Sequence, residues 1–501
     1  MDYIIGMDIG TTATKGVLYD EQGQRIVEKS VPYPLIQNYP NQAEEDPNII
    51  FDAVQQIIYA LSQKADNVAA ISWSAQMHSV IGLDENYNLL TNSITWADNR
   101  AEEITKKSKE TGLAKKIYQK TGMPIHPMAP VYKLLWLKKE YPQLFSRIKY
   151  WLGIKEYIIY RLTGKLVEDI TMAAGRGMLN VDTLDWDEEI LSKIGISKNQ
   201  LPQIEQSTYQ IEKIIPEYRK KLGLNQNTKI VIGASDGYLS TIGVGVLDQQ
   251  DFALNVGTSG AVRTLSKRPI LDKSARFFCY PASQSSYLLG GPVNNGGIVF
   301  EWARKTIFEA DETPEDFLNV AQTVPAGSNG LLFHPYLGGE RAPIWNAHAR
   351  GSFIGLTRNH TKPQMARSVL EGIIFNLLGA SHALCENIGK PNALRVTGGF
   401  VQSDFIRQML ADIFNLPVIA MKDDQGGTLA AMFLARLALG MNHELDEIRK
   451  FVKEDKVYFP NEKEAAIYQD IIPLYREVEH EIDQSYAKIA AFQEKYPHLF
   501  K

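Results

Sequence analysis

Asp8-Ile9-Gly10-Thr11-Thr12 sets a carboxylate at the end of an apolar run, beside a glycine turn. Such a carboxylate can hold a hydrated Mg2+. The glycine lets backbone approach a polyphosphate, and backbone N–H groups with the Thr11 and Thr12 hydroxyls donate to it. Lys15 adds a positive charge nearby. Gly257-Thr258-Ser259-Gly260 echoes that turn 257 − 10 = 247 residues after Gly10. Two such turns facing across a cleft would enclose a triphosphate from both sides. Gly398-Gly399, running into Gln402 and Ser403, offers glycine backbone that can seat a nucleotide. Each segment alone reads equally as an ordinary turn. Neither GxxxxGK[ST] nor GxGxxG occurs, which disfavours a P-loop or Rossmann route to a nucleotide.

Asp236 ends an apolar run within Gly233-Ala234-Ser235-Asp236-Gly237. A carboxylate in that setting can accept the proton of an alcohol attacking a phosphoryl group. The structural alternative is an Asp that caps a helix beginning at Tyr238. Gln76-Met77-His78 follows another apolar run and can line a polar pocket, although a lone His is commonly a hydrogen-bonded core residue. Trp96, Asp98, Asn99 and Arg100 form a second polar and aromatic cluster, as do His126 and Met128.

These residues need elements to hold them. Residues 3–9, 14–20 and 25–33 read as strands separated by turns, hence an antiparallel meander. Asp46-Pro47 supplies an N-cap and an N1 proline for a helix reaching about Lys64, and 69–74 follows as a buried strand. The mixture of strands and helices indicates an α/β domain. The echoed hairpins suggest two related domains, with a boundary near Gly245. Strand 394–397 leads into a helix over 402–414. Residues 102–120 read as a solvated helical face, and 462–492 as a helical tail interrupted at Pro473.

A chain of 501 residues, 44% hydrophobic and 22% charged, is an ordinary globular composition too long for one core. A net charge of −5 gives no general attraction to nucleic acid or an anionic membrane. Two cysteines, Cys279 and Cys385, without a CxxC pattern argue against a disulfide framework or structural zinc. The first residues lack a basic n-region, and no run of consecutive apolar residues approaches the roughly 18 of a membrane span. A soluble, cytoplasmic protein is the expectation.

In this order the residues resemble the FGGY family of carbohydrate kinases over essentially the whole chain. Met128–Leu137 is similar to the family's first signature. Gly351–Leu356 followed by Gln364–Glu371 is similar to the second. The resemblance implies an α/β fold of two ribonuclease-H-like domains of the actin/hexokinase superfamily, with the active site in the cleft between them. Residues 1–245 would form a sugar-binding domain and 246–501 a nucleotide-binding domain. ATP and Mg2+ are the implied cofactors. The partners are a small sugar or sugar acid, with no nucleic acid or membrane, and a homodimer left open. Asp8 then matches the metal-associated residue, Thr11 and Thr12 the phosphate contacts, and Asp236 the catalytic base. Gly257 and Thr258 match the second phosphate turn. Gly297, Glu301, Gly398, Gly399 and Ser403 match nucleotide contacts, and Met77 with His78 the sugar-contacting pair beside Gln76. Two departures stand out: Ile9 where some members carry Gln, and Glu301 where relatives carry Gln.

Within the family, Met77–Val80, Thr95–Arg100, Pro124–Pro130, Gly291–Gly297 and His334–Leu337 look most like gluconokinases. The implied reaction is D-gluconate to 6-phosphogluconate, with xylulokinase (D-xylulose to xylulose 5-phosphate) the alternative. An ATP-binding chaperone or filament subunit is the alternative from another class. A sugar acid would need a partner for its carboxylate, and His78, His126 and Arg100 are the candidates in the first domain.

Overall fold

The computed structural model describes residues 2–39, 41–307, 313–422 and 426–496. The opening alternation of apolar residues and turns folds as expected. Asp2–Ile9, Ala13–Tyr19 and Arg25–Pro32 form an antiparallel meander, with Ile9 opposite Thr14 at the first hairpin's tip. Asn67–Ala75 adds parallel to Asp2–Ile9, then Lys229–Ser235 parallel to it, and Gln210–Ile211 closes this six-stranded sheet. Helix Pro47–Ser62 packs on one face. It is capped by Asp46, whose carboxylate accepts from the Asn48 N–H, with Pro47 opening the first turn.

The second sheet has seven strands, in the order Phe278–Ser283, Ser286–Val293, Gly260–Ser266, Asp251–Val256, Ala393–Thr397, Val418–Met421 and Glu454–Tyr458. Its hairpin repeats the plan of the first. Asp251–Val256 pairs antiparallel with Gly260–Ser266 and parallel with Ala393–Thr397, as Asp2–Ile9 does with Ala13–Tyr19 and Asn67–Ala75. Two sheets with equivalent hairpins around a cleft make the two-lobed α/β architecture that the family resemblance implies.

Several elements depart from the sequence pattern. Helix Gly426–Ala438 lies in sequence between the second sheet's last two strands yet packs on the first sheet, its Ala430, Ala431 and Phe433 sharing that lobe's core. Gly6 permits this approach, because a Cβ there would stand 2.3 Å from the Thr428 carbonyl oxygen. Residues 102–120 keep the expected solvated face, with Glu103, Lys106, Lys107, Lys115 and Lys116 exposed, but also bury an inner one. Helix Glu102–Glu110 buries Thr105 and Ser108, helix Leu113–Thr121 buries Ile117 and Tyr118, and the Tyr118 hydroxyl donates to the Phe277 carbonyl while accepting from the Asp272 N–H. Pro473 does not interrupt the tail. Helix Glu462–Lys495 runs through it, held by the burial of Tyr468, Ile472, Tyr475 and Tyr486. Helix Lys362–Ile388 has the length and mean hydropathy of a membrane span, but 83% of its most apolar window is buried within the protein. It is a core helix of the second lobe.

Candidate active site

Two cavities meet at the tip of the second hairpin. The smaller, about 270 Å3, is lined from the first lobe by Gly10, Thr11, Gln76, Met77, His78, Trp96, Met128 and Asp236, and from the second by Asn255, Ser259, Gly260, Arg263, Tyr280 and Arg341, among others. The larger, about 890 Å3, is lined by Gly257, Thr258, Gly297, Glu301, Gly399, Gln402 and Ser403, with apolar faces from Ile298, Phe300, Leu318 and Phe400. Gly257 and Thr258 thus face one cavity while Ser259 and Gly260 face the other. Gly398 lies just behind the larger cavity at φ 107°. A Cβ there would meet the Val256 carbonyl oxygen at 2.4 Å, so this turn can lie against the hairpin strand only as glycine. Ser403 caps helix Asp404–Phe414 by accepting from the Phe405 N–H. Glu301 pairs with Arg304 at 3.1 Å.

Asp236 is the first residue of helix Asp236–Ile242, and the cap is Ser235, whose hydroxyl accepts from the Tyr238 N–H. The carboxyl of Asp236 is therefore not used up as a helix cap. Its Oδ1 accepts from the Gly237 N–H at 2.7 Å. Burial pushes its pKa up to about 6, Arg263 opposes the rise, and the charge of Asp8 adds to it. A carboxylate so poised is ionised at neutral pH and basic enough to accept a hydroxyl proton.

Asp8 lines neither cavity directly. It lies on strand Asp2–Ile9 and accepts from the Ser74 hydroxyl at 2.7 Å. Burial raises its pKa, against that hydrogen bond and the charge of Lys15. Lys15 stands opposite Asp8 in the hairpin but pairs with Glu28 at 3.6 Å. Among the described residues no three His, Cys, Asp or Glu side chains converge as a protein-built metal cage. Mg2+ needs no such cage, since it retains waters and binds through one or two carboxylates and substrate phosphates. Asp8, half-buried and with a single side-chain hydrogen bond among the described residues, fits that requirement.

The polar wall of the smaller cavity is a connected chain. Gln76 donates to both oxygens of Glu45 at 2.9 Å, its amide oxygen accepts from the Thr11 hydroxyl at 3.0 Å, and Thr11 in turn accepts from the Trp96 indole N–H at 2.9 Å. Thr11 is thereby committed to the cavity wall, whereas Thr12 is exposed at the hairpin tip. His78 adopts φ 69°, and its backbone carbonyl accepts from the buried Lys133 ammonium at 2.9 Å. Its Nδ1 lies 2.6 Å from the Gly175 carbonyl, which can only accept, so that nitrogen carries the proton.

The candidates for meeting a substrate carboxylate need correcting. Arg100 does not line the cavity. Its guanidinium is bound to Asp98 and Glu44 and lies over Trp136 at 4.6 Å. His78 is neutral, burial taking its pKa down to about 3, and burial likewise holds His126 well below the usual imidazole range. The cations that face the cavity are Arg263 and Arg341, both from the second lobe. The only sequence sign of Arg341 is a charged pair, Glu340-Arg341, within an otherwise apolar and glycine-rich stretch.

The N-terminal domain of the FGGY family of carbohydrate kinases matches residues 3–243, and its C-terminal domain matches 252–439. This chain belongs to that family. It is a carbohydrate kinase, and the chaperone or filament alternative falls away. The gluconokinase of Bacillus licheniformis is 41% identical over 98% of this chain and 98% of that one. The xylulose kinase of Bacillus subtilis is 31% identical over 95% of this chain and 97% of its own. Two crystal structures from Lactobacillus acidophilus are each 63% identical to it. The one titled gluconate kinase has a TM-score of 0.96 and covers 97% of this chain and 99% of its own. The other, titled ligand-bound xylulose kinase, has a TM-score of 0.97 and covers 98% and 100%. Sugar kinases of the actin/hexokinase type thus share this two-lobed fold. The family implies ATP as the phosphoryl donor and a divalent metal beside it.

Proposed function

We propose that this kinase transfers the γ-phosphoryl group of ATP to the terminal hydroxyl of D-gluconate, giving 6-phosphogluconate and ADP, with Asp236 as general base. The observation that carries this is the pair of cavities sharing the Gly257–Gly260 turn, with the Asp236 carboxylate facing the smaller one. A sugar in the smaller cavity presents its hydroxyl to Asp236. The proton passes to that carboxylate as the oxygen attacks phosphorus and the bond to ADP breaks. Gly257 and Thr258 would donate to the phosphates, with Gly297, Glu301, Gly398, Gly399 and Ser403 around the nucleotide. The apolar faces of Phe300 and Phe400 suit a flat base. Asp8 would hold Mg2+, which neutralises charge on the phosphates. Gln76, Met77 and His78 orient the sugar, the neutral His78 offering Nε2 as an acceptor. We assign residues 1–245 mainly to the sugar and 246–501 mainly to the nucleotide, although the sugar cavity draws on both halves.

Gluconate is favoured over xylulose by the relatives called gluconokinase, at 40% and 41% identity against 31% for the xylulose kinase. In a coupled assay with ATP and Mg2+, gluconate should exceed xylulose by at least roughly tenfold in kcat/KM, about 1.4 kcal/mol of transition-state discrimination. Xylulose as the better substrate would sink the gluconate assignment and leave the kinase chemistry standing.

A further inference from the structure

We propose that Arg341 forms the subsite for the substrate's carboxylate, so that the cavity selects a sugar acid over a neutral sugar. The inference rests on reading the smaller cavity as a sugar-acid site.

Charge balance comes first. Among the cavity's lining residues the fixed charges are one carboxylate, Asp236, and two guanidiniums, Arg263 and Arg341, since His78 is neutral. The lining therefore carries −1 + 2 = +1 before any substrate enters. That excess of positive charge facing the cavity suits an anionic ligand, which would ease it. A neutral ketose leaves it in place.

The two arginines differ in their surroundings. Arg263 belongs to the reacting end. Its Nε lies 3.3 Å from where a Cβ on Gly237 would stand, and its charge opposes the rise in the pKa of Asp236. Arg341 is only 8% exposed and lies over the Trp96 ring at 5.1 Å, with one N–H donated to the Val293 carbonyl at 3.0 Å. Its Nε, like that of Arg263, is buried without a hydrogen-bond partner among the described residues. The adjacent Glu340 offsets part of the Arg341 charge but makes no side-chain hydrogen bond to it. That carboxylate accepts from the Asn294 N–H, from Asn295 and Asn376, and from the main-chain N–H of Arg341 itself. A planar guanidinium braced on an indole, with an unpaired buried N–H, suits a carboxylate, which it can bind through two parallel hydrogen bonds.

The test is steady-state kinetics of full-length wild type, Arg341→Gln and Arg341→Lys, each with gluconate, xylulose and ATP varied in turn. The gluconate-to-xylulose ratio of kcat/KM should fall by roughly a hundredfold in Arg341→Gln and by less in Arg341→Lys, with the KM for ATP moving by less than about threefold. A wild type that prefers gluconate, beside variants that keep the wild-type ratio, would overturn the subsite and leave the gluconate assignment intact. A rise in the KM for ATP with the sugar ratio unchanged would also overturn it, placing Arg341 on the nucleotide's phosphates. A wild type that prefers xylulose removes the gluconate assignment itself, and the subsite with it. Should Arg341→Gln fail to fold, calorimetric titration of wild type with gluconate and with neutral glucitol reads the same charge requirement. Equal affinity for the two would count against the subsite.

Discussion

Replacing Asp236 by asparagine keeps the shape of the side chain and removes the proton acceptor, and the structure also says how its loss should track pH. Burial raises the Asp236 pKa to about 6, so the carboxylate is about a tenth ionised at pH 5 and about nine-tenths ionised at pH 7. The ionised form is the base, so kcat/KM for the sugar should climb with pH and level off above a break near 6. Two neighbours set that break with opposite signs. Arg263 favours the ionised form, and its removal in Arg263→Gln should carry the break upward by about one unit or more, about 1.4 kcal/mol per unit. Asp8 disfavours the ionised form, and Asp8→Asn should carry the break of the residual activity downward. Asp236→Asn itself should lose roughly 10²–10⁴-fold in kcat with modest change in sugar binding. The assay is a coupled spectrophotometric rate across pH 4.5–8.5 at subsaturating sugar, with coupling enzymes in excess. A flat wild-type profile, or an Asp236→Asn variant above about a tenth of wild-type turnover, would falsify the assignment.

Asp8→Ala should weaken the dependence of turnover on Mg2+, whereas Thr258→Ala should mainly raise the KM for ATP, each lost contact being worth about 1.5–3 kcal/mol. Wild-type behaviour of both at limiting ATP and Mg2+ would remove the picture of a phosphate clamp. Gly399 lines the larger cavity, and a Cβ there meets nothing within 4 Å, so Gly399→Leu should put its side chain into the space assigned to the nucleotide. The KM for ATP should rise by at least roughly tenfold with the KM for the sugar little changed; the reverse pattern would exchange the two cavities' roles.

The amino-acid sequence by itself determined the hairpins, the helix capped by Asp46, and the placing of Asp8 and Asp236 at strand ends. These follow from neighbours in the chain: apolar alternation, glycine turns and capping residues act over a few positions. It also carried the family, through signatures long enough to be specific. What it left open was which cation meets which anion. Arg100 stands beside the polar and aromatic cluster, but its guanidinium is claimed by Asp98 and by Glu44, whose position comes from a separate strand pair. His78 and His126 read as titratable until burial makes them neutral. Little in the sequence around Arg263 and Arg341 tells their role, since each meets the first lobe's cavity residues from the second lobe, far away in the chain. Helix Gly426–Ala438 lies between the second sheet's last two strands in the chain but belongs in space to the first sheet. Charge pairing, desolvation and lobe packing are set by contacts between residues tens to hundreds of positions apart. A local pattern can nominate a charged side chain, and only the assembled fold decides whether its charge is still free.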